Sequence, residues 1–326
     1  MQAGGLSVII VNWNTRDLLR RCLGSLQGTV GNLELEIVVV DNGSTDGSLE
    51  MVRSEFPAVK LLPQTRNLGF AKAVNLGVAS SGCRLVLLLN SDTIVPAGCL
   101  QKTVAMVEGG PDIEVLGCCL EDEHGKVQAS CGVFPSVWSM WWQNLFILAL
   151  KGVGPGPVRF LSRISGVPLM PLRDLMRLWD PAGVRDVDWV SGAFLLTRRE
   201  VFERVGSLDE AFWLFGEDMD WCWRVRRSGG RVVYFGEARI VHVGGGSTVA
   251  EVESDLRHYR ASVQLYAKHR GAVQTAVYRS VLSLGAFVRL LGLVLARFIG
   301  RGGTGFRSRV AREWGLMTLR RGFPDG

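Results

Sequence analysis

The stretch VVVDNGSTDGS at residues 38–48 decides the fold. Three valines with no polar alternation read as a strand covered on both faces, as in a parallel sheet. The run ends in Asp41. Gly43 and Gly47 then permit a tight turn, and Asp46 or Ser44 is placed to cap a following helix. Working outward, the same alternation of apolar run and amphipathic stretch repeats through the first 120 residues. Strands are expected at 6–12, 35–41, 59–63, 84–90 and 114–119, with helices at 16–27, 47–55, 70–79 and 97–108. This spacing predicts an α/β fold with a doubly wound, mostly parallel sheet flanked by helices. Ligands of such sheets sit beyond the carboxyl ends of the strands. Polar residues gather at those ends here, at 12–14, 41–46, 66–67 and 90–92.

The alternation breaks at residues 121–185, which read as an insertion or mobile loop region with Trp138, Trp141 and Trp142 as an aromatic patch. Order returns with a strand at 186–197, a helix at 199–205, a helix at 217–228 and a strand at 231–235. A helical tail begins near residue 252. The expected domains are therefore an α/β half (1–120), the insertion (121–185), a second half (186–250) and a helical basic tail (251–326).

The formal charge of +6 is unevenly spread. From Arg257 onward there are 13 Lys and Arg against only Glu313 and Asp325, a net +11, so the body carries −5. A basic tail on a mildly acidic body points to an anionic partner for the tail alone. Within 280–299 an apolar run is interrupted by Arg289 and Arg297. Each would cost ~2.5–3.5 kcal/mol at the centre of a membrane span. With Arg279 and Arg301 they fall within an arc of roughly 200° at helical spacing, so the expectation is a basic amphipathic helix on a membrane surface. A helix packed on the domain with a solvated basic face is the alternative. Nucleic acid is not expected as a partner, because the tail arginines alternate with Leu, Val and Phe rather than lining a polar, aromatic-bearing groove. Seven cysteines, an odd number without C-x-x-C spacing, suggest neither a disulfide framework nor a zinc site. They fit a reducing, cytoplasmic setting, and the N-terminus lacks the features of a signal peptide.

Several residues carry chemistry. Asp41 either ends a capped strand–turn–helix junction or accepts hydrogen bonds from a base or ribose at the sheet edge. In LLLNSDT (87–93), Asp92 emerges at a strand end, where it either caps the helix expected near Pro96 or helps bind a hard divalent cation, which takes one or two carboxylates plus substrate phosphates. In FGEDMDWCWRVRRSGG (215–230), Glu217, Asp218 and Asp220 open a helix. The macrodipole favours acids there by ~0.3–1 kcal/mol, and one of them is alternatively a general base. Trp221 and Trp223 are expected in the core, whereas Trp213 or Phe215 is expected to meet an acceptor.

SVIIVNWNT (7–15), VVVDNGSTDGS, RNLGFAKAVNLG (66–77), LLLNSDT, VSGAFLLTRREVFERVG (190–206) and FGEDMDWCWRVRRSGG occur in this order. Together they resemble the family 2 glycosyltransferases of GT-A fold, in particular their rhamnosyltransferase-like branch, over about residues 6–247. The resemblance implies an inverting transferase that moves a sugar from a nucleotide diphosphate donor to a glycan or lipid-linked glycan hydroxyl. Thymidine-linked rhamnose leads, and a uridine-linked hexose is the alternative. It implies that Val11, Asn12, Asp41, Arg66 and Asn67 hold the nucleotide sugar with Asn90 and Ser91, and that Asp92 touches a divalent metal, Mg or Mn. Asn90 departs from the family's D-x-D pattern by standing where its first Asp would be. Asp218 becomes the base and Glu217 its neighbour orienting the acceptor. His242 in RIVHVGGGS (239–247), otherwise a core or cap histidine, approaches the metal or diphosphate; imidazole suits manganese better than magnesium. The glycines after it would offer N–H groups to phosphates. The place of action implied is the inner face of the cell membrane. A dinucleotide-binding oxidoreductase is disfavoured, because the first turn reads NWNTRD rather than G-x-G-x-x-G. A non-catalytic, membrane-associated nucleotide-sugar binder is the remaining alternative.

Overall fold

A computed structural model describes residues 2–27, 33–140, 181–244, 251–298 and 305–319. Trp141, Trp142, Pro168 and Pro171 of the expected insertion, Arg301, and the glycines at 245 and 246 lie outside the described residues. The chain divides into two compact units, one built on residues 1–134 and 180–248, the other on 135–179 and 249–326.

The first unit runs β1 (Gln2–Asn12), α1 (Arg16–Gln27), β2 (Leu35–Asp41), α2 (Ser48–Glu55), β3 (Lys60–Pro63), α3 (Phe70–Ser80), β4 (Cys83–Asn90), β5 (Thr93–Ile94), α4 (Cys99–Gly109), β6 (Ile113–Glu121), β7 (Val127–Gln128), β8 (Cys131–Gly132), β9 (Val184–Asp186), β10 (Trp189–Val190), β11 (Phe194–Arg198), α5 (Arg199–Val205), α6 (Glu217–Arg227) and β12 (Arg231–His242). The main sheet has the order β3-β2-β1-β4-β11-β6-β12-β5. β1 to β4 are mutually parallel, β11 enters antiparallel between β4 and β6, and β12 is parallel to β6.

Side-chain alternation explains why the runs are continuously apolar. Leu6, Val8 and Ile10 of β1, with Leu85, Leu87 and Leu89 of β4, join Leu19, Leu23, Val104 and Val107 of α1 and α4 in one core. The intervening Ile9, Val86 and Leu88 are also buried and point to the opposite face. There α3 lies so close that a Cβ at Gly77 would stand 2.4 Å from the Ile9 side chain. All seven cysteines are free and buried, and burial pushes the Cys22 thiol up to about 12.

Two expectations for the second half of this unit need correction. The strand expected at 186–197 is three short strands, β9, β10 and β11, split around Val187–Asp188 and Ser191–Ala193. The strand expected to stop at Phe235 continues to His242 through a register shift between Phe235 and Arg239. Gly236 reads as a breaker but is a bulge site, where a Cβ would meet the Pro181 carbonyl oxygen at 2.2 Å.

The second unit contains α7 (Glu251–His269), α8 (Gly271–Phe298) and α9 (Phe306–Met317). Its core gathers Val263, Tyr266, Tyr278, Leu282, Ala286 and Leu316, with the Tyr266 and Tyr278 rings stacked at 4.3 Å. Among the described arginines of the expected basic face of α8, only Arg297 is exposed. Arg289 turns inward onto the buried Glu313 at 2.8 Å, and Arg279 donates to the Leu319 carbonyl. The exposed large apolar side chains of α8 are Val273, Val277, Leu284, Phe287, Val288, Leu291, Val294, Leu295 and Phe298. At 100° per residue these nine share one arc of about 120°.

Candidate active site

Strand register assembles the first part of the site. β1 pairs Asn12 with Asp41 of β2 and Val11 with Asn90 of β4, so three adjacent strands end at one edge. Asn12 is fully buried and donates its amide to Asp41 Oδ1 at 2.9 Å and to the Ser44 hydroxyl at 3.1 Å. Asp41 Oδ2 accepts the Ser44 N–H at 2.9 Å. Thr15 donates to Asn12 Oδ1 at 2.7 Å and meets the Ser91 hydroxyl at 2.9 Å. Asp46 does not use the helix after it alone: its Oδ2 accepts the Arg16 N–H and its Oδ1 the Ser48 N–H, tying α1 and α2 to the same turn. Neither it nor Ser44 is the N-cap of α2, which is Gly47.

Arg66 is exposed, and its backbone passes so close to Gly43 that a Cβ there would stand 2.8 Å away. Gly43 also has φ 79°, so both space and conformation require glycine. Asn67 Oδ1 accepts the Gly69 N–H at 2.9 Å and the Asn42 amide at 3.0 Å, while Asn42 Oδ1 accepts the Leu68 N–H at 2.9 Å. Asn42 is buried and clamps this loop.

The second part is built by residues far apart in the chain. β5 pairs antiparallel with the end of β12, setting Thr93 opposite His242. His242 Nε2 thereby lies 3.3 Å from Asp92 Oδ1 and 3.4 Å from the Asn90 amide. Asp92 precedes β5 and caps no helix, since α4 begins at Cys99 with Gly98 before it. Among the described residues no three His, Cys, Asp or Glu side chains cluster as a metal site. A carboxylate oxygen and an imidazole nitrogen facing each other nonetheless fit a divalent ion that draws its remaining ligands from phosphates.

The third part is the start of α6. Asp218 is half-buried, with Oδ2 accepting the Gly192 N–H at 3.0 Å and Oδ1 accepting the Met219 N–H at 2.7 Å. The next residue, Ala193, accepts the Asn90 N–H at 3.2 Å. Asp218 and the Asn90–Asp92 turn are thus joined through two neighbouring peptide groups. Glu217 is only 5% exposed, and its Oε2 has no hydrogen-bond partner. Burial, with the Asp218 charge beside it, pushes its carboxyl well above the usual carboxylate range. Asp220 is fully buried and paired with Arg224 at 3.0 Å, a structural tie. The turn before α6 is tight, with φ 69° at Phe215 and φ 90° at Gly216. Trp213 is partly exposed. Its carbonyl accepts the Phe70 N–H at 3.0 Å, and its ring lies where a Cβ on Gly69 would stand 3.1 Å away. Trp221 and Trp223 are buried.

The profile described as Glycosyl transferase family 2 matches residues 7–147. This chain carries a family 2 glycosyltransferase domain. An N-acetylglucosaminyl-diphospho-decaprenol L-rhamnosyltransferase of Mycobacterium tuberculosis is 26% identical to the glycosyltransferase over 285 residues, covering 81% of this chain and 84% of the relative. A low-salt glycan biosynthesis hexosyltransferase of Haloferax volcanii is 22% identical over 270 residues, with 81% and 73% covered. A mannosyltransferase from Pyrobaculum calidifontis, solved with GDP-Man and Mn2+, superposes with a TM-score of 0.57 at 16% identity over 97% of this chain and 86% of that one. The α/β fold of this family 2 glycosyltransferase is accordingly the GT-A fold.

Sequence reasoning passed over three residues at this edge. Trp13 lies within the quoted SVIIVNWNT stretch and is 40% exposed directly after β1; its position beside Asn12 was the available signal. Asn42 and Gln128 had none, because each acts through a partner distant in sequence.

Proposed function

We propose that this chain is an inverting transferase that moves rhamnose from a thymidine diphosphate donor to a hydroxyl of a lipid-linked glycan at the cytoplasmic face of the membrane. The observation that carries the reading is the convergence of Asp92, Asn90 and His242 with Asp218 at one sheet edge, through the β5–β12 pairing and the Gly192–Ala193 link. The sugar and the acceptor class follow the name of the mycobacterial rhamnosyltransferase, and the thymidine diphosphate carrier follows the resemblance to the rhamnosyltransferase-like branch.

In this reading Asn12, Asp41, Arg66 and Asn67, with Val11 and Trp13, receive the nucleoside, and Asn90 and Ser91 receive the sugar diphosphate. Asp92 and His242 would hold a divalent cation, which would supply positive charge to the departing diphosphate. Asp218 is the base that takes the acceptor's hydroxyl proton as its oxygen attacks the anomeric carbon from the side opposite the leaving group. Its carboxylate is oriented by two backbone N–H groups and is half-buried. Burial of Glu217 disfavours a second negative charge beside the diphosphate. Trp213 and Phe215 offer aromatic surface to the acceptor sugar's C–H face. Residues 186–244 thus form an acceptor half beside the donor half, and the apolar stripe of α8, with exposed Arg297, Arg307 and Arg309 nearby in the chain, contacts the anionic membrane surface.

The test is transfer to a polyprenyl-diphosphate-linked N-acetylglucosamine acceptor, comparing thymidine diphosphate rhamnose with uridine diphosphate hexoses, with and without Mn2+. Anomeric inversion with the rhamnose donor is expected. Transfer from a uridine diphosphate hexose alone would replace the donor assignment, and binding of donors without transfer to any acceptor would sink the enzymatic reading.

A further inference from the structure

We infer that Gln128 is a positioning residue that fixes the ring tautomer of His242 and aims its Nε2 lone pair at the point Asp92 faces. The inference rests on the cation-site reading above and deepens it. Gln128 lies on the two-residue strand β7, which pairs with the end of β6 so that Gln128 stands opposite Leu120. Leu120 is also paired with Ile240 on β6's other edge. The Gln128 side chain spans this strand end and grips His242 twice, its Nε2 at 2.8 Å from the His242 carbonyl oxygen and its Oε1 at 2.6 Å from the ring Nδ1.

The chemistry of the partners orders these two contacts. A backbone carbonyl only accepts, so the amide nitrogen must face it. The amide oxygen therefore faces the ring, and since that oxygen also only accepts, Nδ1 must carry a hydrogen. In neutral imidazole the other nitrogen is then left unprotonated. That nitrogen is the one 3.3 Å from Asp92 Oδ1 and 3.4 Å from the Asn90 amide. Without the Gln128 grip the proton would be drawn to Nε2, where the Asp92 carboxylate accepts it and closes the gap a cation needs. Outer partners of this kind typically change metal affinity 10–100-fold.

The variants are Q128L, which removes the grip, and Q128E, which keeps an acceptor against Nδ1. The first readout needs no cation: 15N spectra of histidine-labelled protein, with the His242 signal identified by its loss in H242N. The Nδ1–H form is expected in the wild type and in Q128E, and a shift toward Nε2–H in Q128L. The second readout is Mn2+ affinity in the presence of thymidine diphosphate, followed by electron paramagnetic resonance. Q128L is expected to weaken it 10–100-fold, with Q128E recovering most of the loss, and thymidine diphosphate binding without Mn2+ is expected to be equal in all three. An Nε2–H wild type, or a Q128L protein unchanged in both readouts, overturns the inference. Wild-type protein that binds no Mn2+ while holding the Nδ1–H form would instead refute the cation site and leave the role of Gln128 in orienting His242 standing.

Discussion

Asp218 and Asp220 stand two residues apart in the first turn of α6; the first is the proposed base, and the second is buried against Arg224. Asn at 218 preserves shape but cannot take the acceptor's proton. Loss of a positioned general base costs 10²–10⁴-fold in rate, about 2.7–5.4 kcal/mol on the barrier. The folding cost is small. Asp218 accepts one N–H on each oxygen, and Asn keeps one of these acceptors, so about 1 kcal/mol of stability is lost. Asn at 220 behaves the other way. Asp220 is fully buried against Arg224, whose remaining donors still reach the carbonyls of Val205, Gly206 and Ser207. Losing one charge-assisted hydrogen bond there costs ~1.5–3 kcal/mol, or roughly 3–12 °C in Tm for a domain of this size. The assay is kcat at saturating donor and acceptor, well below either Tm, alongside thermal denaturation. D218N should lose at least 100-fold in kcat with a small Tm shift, and D220N should keep kcat within a few-fold with the larger shift. A D218N enzyme retaining more than about a tenth of wild-type kcat refutes Asp218 as base.

Three further outcomes follow from the described side chains. Glu217 is raised in the folded state, so its contribution to stability is present below the ordinary carboxylate range and is lost as pH climbs through the raised value; E217Q should therefore flatten the alkaline fall in Tm, and parallel curves for the two proteins would show Glu217 to be charged. E313Q leaves Arg289 buried without its carboxylate and should cost ~3 kcal/mol in urea denaturation, whereas the R289M/E313M double variant should recover most of it; equal losses for both would place Arg289 in solvent. Charging the α8 stripe with L291E and F298E should abolish co-sedimentation with vesicles containing anionic lipid while leaving transfer to a short, water-soluble acceptor within a few-fold, and unchanged sedimentation would remove the stripe from membrane contact.

The donor-side half of the fold was legible because its signals are local. Apolar runs as in β2 and β4 announce strands buried on two faces, and α1 has the bounds its periodicity predicts. The other half was less legible where a local signal misleads. Gly236 looks like the end of a strand, yet it is a bulge that lets β12 run on and deliver His242 to Asp92. Helical spacing revealed two faces on α8 but not which one is covered, because that depends on Glu313, 24 residues beyond Arg289. The same holds at the site. Asp92, Asp218 and His242 lie in motif-bearing stretches, whereas the clamps by Asn42 and Gln128 are side-chain contacts across 25 and 114 residues that no short window contains.

The order of strands in space also dictates an order in time. β11 lies between β4 and β6 although it follows β6 in the chain, and His242 comes from the final strand of the sheet. A ribosome that has released the first 120 residues has released the four parallel strands β1 to β4, but apart from the two-residue β7 the strand β6 has no neighbour to join until β11 emerges. The sheet therefore assembles from its N-terminal strands. Premature termination anywhere before residue 242 would leave a fragment with apolar strand edges open to aggregation and without the histidine that faces Asp92.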